Sequence, residues 1–428
     1  MATGAFAVTE RTLGAFQVGA LLISASYGIG FLFGSGEDAL RYGMAGAMYG
    51  VATAVGMLAM AAFAGRLWIA GRAVWDLLGD QAGERVRRLV ALLSVVWMAG
   101  VLAAQIHGAV AVVHLLGAES VTAHAVAIVL IFAASRFELR AASLVFATCL
   151  AASAVVLVFA LVTTGGVDLY AASLPAFAQA LPSVGATQVI TMAIGVGLLV
   201  CTGADYHQFV LAARGPGAAV RGCLIAGFGL ILLAFLPPAV VLSAVAQPAW
   251  PGVADPKQVV PQVLALAARD VSAVAGPLML GVLGAAALGS GAAVLRAMVS
   301  ALQAAELARL SAWPLLLAGI AMAAATALTS SGLSIVDTMV SVNVVYIASV
   351  GASLFSLLRG KDDHSVDEAW VIAAGFVASV LIYVARWLGW HVPNVELVAL
   401  VVGLVSAVLT RLVLHRRHGN LTCRAMRR

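Results

Sequence analysis

"SASYGIGFLFGSGEDALRYG", residues 24–43, sets five glycines, three serines, a Glu and an Asp into an otherwise apolar chain. Glycine in a helix interior costs about 1 kcal/mol relative to alanine, so Gly28, Gly30, Gly34 and Gly36 are expected to weaken or interrupt the helix that carries them. Backbone freed at membrane depth persists only where protein or water satisfies it. Broken helices in transporters do this near the bilayer midplane, where freed carbonyls meet cations and half-helix N-termini meet anionic groups. The alternative reading is that the glycines let another helix approach closely, as small-residue patches do in any bundle.

The rest of the chain puts this stretch in a membrane. Its 428 residues are 63% hydrophobic and 10% charged, with a mean hydropathy of +1.05, whereas soluble domains are roughly half apolar and about a quarter charged. Apolar runs of about 20 residues, enough to span roughly 30 Å of hydrocarbon, recur near 13–34, 43–65, 88–116, 121–135, 140–163, 184–203, 220–247, 272–305, 311–330, 333–358, 369–388 and 396–414. These predict an all-α membrane protein with about 12 transmembrane helices and no separate catalytic domain. With both termini cytoplasmic, all 24 Lys and Arg fall on the inner side except Arg41, Lys257, Arg269 and Arg386, the bias expected of an integral plasma (inner) membrane protein.

The first twelve residues, "MATGAFAVTERT", have neither the basic start nor the cleavage site of a secretory signal, so the first span is read as structural. The four cysteines are scattered and suggest no disulfide or metal framework. The net charge of +5 is attributed to inner loops facing an anionic leaflet rather than to a nucleic-acid partner. No H-E-x-x-H, G-x-S-x-G or Cys/His cluster supports an intramembrane enzyme. The acidic patch "KDDHSVDE" (361–368) is expected to divide a ten-helix core, 13–359, from two appended helices, 369–414, and a basic tail, 415–428.

The sixth span, "QVITMAIGVGLLVCTGAD" (188–205), again pairs Gly195 and Gly197 near mid-membrane. Spans one to five (13–164) and six to ten (184–359) therefore each begin with a glycine-interrupted helix, and an odd number of spans gives the halves opposite topology. That is the inverted-repeat pattern of secondary transporters.

Three segments make the pattern specific. "GSGEDALRYG" (34–43) resembles the end of the first core helix of the sodium/solute symporter family, where G-x-P-G-x-A-Y-x-x-G is usual. "ADYHQFVLAARGPGAAVRG" (204–222) is similar to that family's cytoplasmic segment after the sixth core helix, D-x-x-Q-x-x-L-A-A-R-s-p-x-x-A-x-x-G, and is the strongest match. "GERVRRLVALLSVVWMAGVLAAQIHGA" (83–109) resembles its third core helix, with a basic inner end and a central Gln. The resemblance implies a LeuT-type 5+5 inverted repeat with discontinuous helices 1 and 6, in a divergent member that is expected to lack the family's leading helix.

It also implies a sodium site and a solute site. The family's sodium is held by carbonyls of the unwound first helix, which fall at Ser24 and Tyr27, and by two neighbouring hydroxyls of the eighth. There "AALGSGAAVLRA" (286–297) aligns with M-S-T-x-D-S-x-L and puts Gly289 and Ser290 at the hydroxyl positions. Only one hydroxyl remains, and the carbonyl of Ala286 or water is expected to make up the loss. Ser290 could alternatively be a small packing residue that back-bonds to its own turn. The solute is expected near Ser26, Gly28, Gly30, Gln105, Gly195, Gly197, Asn343 and Tyr346, with Asn343 and Tyr346 sharing one face of the tenth span. Glu37 and Asp38 are read as interfacial carboxylates partnered by Arg41, His107 as a packing residue or a proton group, and Arg296 as a snorkelling residue or a partner of Glu306.

The function expected from all this is import of a small polar organic solute, weakly favouring a carboxylate or amino-acid-like one, coupled to a cation by alternating access. No cofactor is called for beyond Na+, and the partners are the lipid bilayer and the solute. A proton-coupled or uncoupled carrier on the same fold, or a membrane sensor that has lost transport, are the alternatives.

Overall fold

The computed structural model of the chain describes residues 11–137, 139–248, 250–269, 271–272, 274–305, 313–329, 334–358 and 367–425. It opens with two half-helices, α1 (Ala15–Ser26) and α2 (Ile29–Tyr42), parted at Tyr27 and Gly28. A 3-10 turn over Gly43–Ala47 leads into α3 (Met48–Ala70). That helix stops at Gly71, whose φ of 67° is a left-handed conformation that glycine adopts without steric cost. A short amphipathic helix, α4 (Val74–Ala82), buries Val74, Trp75 and Leu78 and ties Asp76 to Arg87 at 2.8 Å. Arg87 belongs to α5 (Glu84–Leu115), whose 32 residues reach about 48 Å at the usual rise per residue. Such a rod exceeds the hydrocarbon thickness, and its charged first turn, Glu84–Arg88, suits the water beyond it.

Repeat one closes with α6 (Ser120–Ala134) and α7 (Leu139–Thr163), and two surface helices, α8 (Val167–Ala171) and α9 (Ser173–Val184), lead to the second. There α10 (Ala186–Thr202) and α11 (Ala204–Leu211) are parted at Gly203. Pro237 and Pro238, which cannot donate to the preceding turn, divide α12 (Pro216–Ala234) from α13 (Leu236–Val245). Then come α14 (Val259–Ala268), α15 (Ala275–Ala304), α16 (Pro314–Thr329), α17 (Ile335–Leu358), α18 (Glu368–Trp387) and α19 (Val395–Ala425). The repeat is legible in the connectors as well: α4 lies between the second and third spans of one half, and α14 between the second and third of the other.

Among the described residues, nine stretches are long and apolar enough to cross a membrane, one of them running through α2 and α3, and α1, α6 and α16 are shorter apolar helices. Taken with the joined pairs, they make the expected twelve spans. Two boundaries differ. The sixth span does not end near 203: it continues through α11, with Asp205, Tyr206, His207, Phe209 and Val210 all buried, where the resemblance placed a cytoplasmic segment. The last helix runs on to Ala425, so most of the expected tail is helical; residues 426–428 lie outside the described residues. Of the acidic patch only Asp367 and Glu368 are described, and Asp367 caps α18 by accepting from Ala369 N at 3.1 Å.

Two groups of helices pack around the first. One comprises α1, α3, α10 and α12; the other is built on α5, which carries α6, α15 and α16, with α17 between them. The most apolar window of α5 is 78% buried, that of α18 or α19 only 22%, so α5 is the interior rod and the last two helices are largely lipid-facing. They dock on α17 through small residues: a Cβ on Gly375 would lie 2.5 Å from the Ala348 carbonyl oxygen, and one on Gly403 2.7 Å from Ala348 Cβ. Backbones approach that closely only without side chains between them.

Candidate functional site

The first rupture is confined to two residues, and neighbouring side chains hold it open. Tyr27 ends α1 with φ −85° and ψ 41°, and Gly28 is extended at φ −76° and ψ 177°. A Cβ on Gly28 would meet Gln105 Oε1 and lie 2.6 Å from Ser290 Cβ, so only glycine lets the chain pass between α5 and α15. Those two helices also supply the hydrogen bonds that the rupture leaves unmade. Ser290 Oγ donates to the Ala25 carbonyl at 2.6 Å, and Gly30 N–H donates to Gln105 Oε1 at 3.3 Å. The expected meeting of the first and eighth spans is therefore present, through the carbonyl of Ala25, which lies between the two residues the resemblance pointed to, Ser24 and Tyr27.

A full sodium shell is harder to assemble. The second hydroxyl position is Gly289, and a Cβ there would lie 2.9 Å from Ser24 Oγ and 3.0 Å from the Phe146 ring, so Phe146 fills the space that a second hydroxyl would use. Ser290 already spends its proton on Ala25. Ala286 is buried on α15 about one turn before Ser290. Ser26 Oγ bonds back to Leu22 O at 2.9 Å within its own helix.

The second rupture is elsewhere than the paired glycines suggested. α10 is continuous through Gly195 and Gly197 and breaks at Gly203, extended at φ −69° and ψ 121°. Gly195 and Gly197 serve packing: a Cβ on Gly195 would stand 3.4 Å from Val344 of α17, and the Gly197 carbonyl faces Gly56 of α3. The position that needs bare backbone is Gly56, where a Cβ would lie 2.7 Å from the Gly197 carbonyl oxygen; Gly195 and Gly197 sit in an unbroken helix with ordinary contact distances around them. Past Gly203, Asp205 is 1% exposed and its Oδ1 accepts from Tyr206 N at 2.9 Å. Gln208 Nε2 donates to Asp205 O at 2.8 Å and to Ala293 O of α15 at 3.2 Å. A ring nitrogen of His207, Nε2, lies 2.9 Å from Cys201 O, while its Nδ1 has no partner among the described residues.

The side chains around the ruptures are deeply buried. Tyr27, Trp97, Gln105, Ser290, Asn343 and Tyr346 are each no more than 2% exposed. Asn343 and Tyr346 share a face of α17 as expected. That face begins at Met339, whose Sδ would be 3.5 Å from a Cβ on Gly30. Trp97 and Tyr346 have ring centroids 5.9 Å apart, and Tyr27 and Phe31 5.0 Å. The phenol of Tyr27, the indole N–H of Trp97 and both polar atoms of the Asn343 amide are buried without a hydrogen-bond partner among the described residues. An unpaired buried polar group costs about 1–3 kcal/mol, so each of these atoms is a standing reason to look for something that pairs it.

At one end of the bundle the start of the chain is tied down. Leu13 N donates to Ala212 O at 3.0 Å, Arg214 N to Leu13 O at 2.8 Å, and Trp68 Nε1 to Ala213 O at 2.6 Å, with the Arg11 guanidinium 4.3 Å above the Trp68 ring. At the other end Glu37 pairs with Arg41 at 3.4 Å, as expected. It is 3% exposed rather than interfacial, because its other oxygen accepts from Ile335 N at 3.3 Å and so caps α17. Arg296 is buried rather than snorkelling. Its Nε donates to Ser135 O at 2.7 Å, and Glu306, its expected partner, lies outside the described residues. His107 is half-buried, facing away from the rupture that Gln105 reaches. Among the described residues no three His, Cys, Asp or Glu are placed to hold a metal ion.

No family model matches the chain, and no curated protein matches it in sequence. Solved structures do. A sodium-coupled sialic acid symporter in a substrate-bound, outward-open state matches with a TM-score of 0.69 at 14% identity, over 93% of this chain and 88% of that one. Mhp1, a nucleobase-cation-symport-1 family transporter closed around bromovinylhydantoin, matches with a TM-score of 0.61 at 12% identity, over 96% and 94%. A variant of the Eremococcus coleocola manganese transporter matches with a TM-score of 0.60 at 15% identity, over 94% and 95%. The chain therefore has the all-α, LeuT-type fold of these transporters, over nearly its whole length.

Proposed function

We propose that the chain is a secondary transporter that moves a small polar organic solute by alternating access, coupled to a cation, with both termini cytoplasmic and residues 13–359 forming the transporting core. The observation that carries this reading is the pair of ruptured helices in the two halves, with polar atoms of Tyr27, Trp97 and Asn343 left unpartnered in the interior. A solute with complementary donors and acceptors would pair them and make the closed arrangement the favoured one. A neutral, hydrogen-bonding solute with a flat face suits them best. The groups are an amide, a phenol and an indole, aromatic rings flank them, and one of the N–H groups that α2 would offer a carboxylate, that of Gly30, is already taken by Gln105 at 3.3 Å. The carboxylate-bearing solute favoured by a bare helix N-terminus becomes the second choice.

Two ions could drive the cycle. Sodium, which the sialic acid symporter uses, would lie between Ala25 O and Ser290 and tie α1 to α15; it would have to replace the hydrogen bond already joining them. The single hydroxyl and the Phe146 ring beside Gly289 favour the proton as the second reading. Either ion drives transport only through unequal affinity for the two orientations. Uptake of a panel of radiolabelled solutes into proteoliposomes, under a sodium gradient, a proton gradient or neither, is the test. Accumulation under one gradient alone assigns the ion. No accumulation of any solute under either removes the transporter reading in favour of a sensor.

A further inference from the structure

We propose that Asp205, at the start of the half-helix that follows the second rupture, is the group that binds and releases the coupled proton. This rests on the transporter reading above and deepens its proton-coupled form. Asp205 is 1% exposed, in the interior of a bundle, and its carboxylate accepts a hydrogen bond from the adjacent Tyr206 N–H at 2.9 Å. Among the described residues no basic side chain pairs with it. The titratable groups that sense its charge are the phenols of Tyr49 on α3, Tyr206 on its own helix and Tyr346 on α17. His207 on the same helix turns its Nε2 back to Cys201 O. Of the helices packed against α11, α15 carries a cation, Arg296, but directs it at Ser135 O; Arg66 of α3 and Arg221 of α12 are exposed, and α1 carries no charged residue.

An ionised carboxylate in such surroundings is expensive unless it is paired, and the usual outcome is that the group takes up a proton instead. The rupture makes that proton exchangeable. Gly203 is extended, so the carboxyl is carried by a short segment that can be wetted when α11 moves, and Gln208 fixes that segment to α15. In the closed form Asp205 holds a neutral COOH. When the bundle opens inward and water enters, the O–H bond breaks, the proton leaves to the inner water, and the carboxylate is hydrated. Return to the outward-open form with outer water present restores the O–H bond. One proton and one positive charge cross per cycle, and no other reactant is needed. The Tyr49 phenol, which senses the charge of Asp205 and lies against the Asn343 amide, links this group to the solute region.

Infrared titration of the purified protein in lipid tests the assignment without requiring the solute. The expected result is a neutral-carboxyl carbonyl band near neutral pH that shifts with isotope-labelled aspartate, persists in Asp38→Asn, moves in Asp205→Glu and is lost in Asp205→Asn. A band unchanged in both Asp205 variants, or no neutral aspartate near neutral pH, overturns the proposal, as does a band that disappears when potassium is exchanged for sodium. Should Asp205→Asn fail to fold, the isotope label in the wild-type protein and Asp205→Glu decide the assignment by themselves. Proteoliposomes with a trapped pH dye separate this from the parent reading. An intact Asp205 band with no solute uptake overturns the transporter reading, whereas solute uptake that brings no proton with it overturns the role given to Asp205.

Discussion

The two ruptured helices occupy equivalent places in the inverted halves, yet they are held in opposite ways. The first is clamped from outside: Ser290 and Gln105, from two other helices, hydrogen-bond to its backbone on either side of Gly28. The second is largely self-supporting, with Asp205 receiving the N–H of its own neighbour and Gln208 giving one outward bond to α15. A clamped rupture is positioned by its neighbours, while a self-supporting one is positioned mainly by its own half-helix, so under the proposed function the first suits solute binding and the second the carboxyl that exchanges a proton.

The largest effect should come from testing the clamp. Gly28→Val would push a side chain into Gln105 and Ser290, where a Cβ already comes within 2.6 Å, and overpacking of that kind costs about 1–3 kcal/mol. Uptake should be abolished and the melting temperature lowered. Gly203→Ala, in contrast, brings a Cβ to 2.8 Å from both the Asp205 carboxyl and the Tyr206 ring and 3.1 Å from Leu199 O, all within its own span rather than across to another helix, and should keep measurable uptake. Equal damage at both would end the distinction.

Next comes the seal formed by the start of the chain. Trp68→Phe removes the bond to Ala213 O, and Arg11→Ala the cation above the ring, together about 1–2 kcal/mol. Hydrogen exchange at residues 12–15 and 212–215 should rise roughly tenfold, a shift toward the inward-open form. Unchanged exchange would show that the seal is not a gate.

A smaller loss is expected from Ser290→Ala, about 0.5–1.5 kcal/mol for one hydrogen bond. Its stability deficit should be the same in sodium and in potassium if the proton is the driver, and the sodium activation curve should flatten if sodium is. The smallest belongs to Gly197→Ala. A Cβ there finds its nearest neighbour at 3.8 Å, and alanine improves helix propensity by about 1 kcal/mol. Stability should be unchanged or slightly higher and uptake intact; a loss as severe as at Gly28 would restore Gly197 to the solute site.

The first rupture is legible as a stretch because four glycines and several polar side chains fall where a lipid-facing helix has no use for them, yet the chain parts only at Tyr27 and Gly28, and α2 runs on through Gly30, Gly34 and Gly36. The second is displaced from its expected place because Gly195 and Gly197 present the same local signal for a different reason, packing on α3 and α17, which one sequence cannot tell from unwinding. The better signal is "TGAD" (202–205), a glycine followed by an acidic residue in the first turn of a new helix. Asp205 escapes notice because the resemblance assigns the segment beginning at 204 to the cytoplasm, although its run of buried residues continues to Val210. Gln105 stands out through its central place in the third span; that it accepts from Gly30 N, and so occupies one N–H of the second half-helix, depends on a contact between residues 75 apart.

One rod, α15, is fastened to both ruptured helices: at Ser290 to the first and at Ala293 to the second, three residues along. Two arms pinned to one axle within a single helical turn cannot swing independently. Loosening either pin passes directly to the other, so an inhibitor need not enter the solute site: wedging this rod would stall both arms at once.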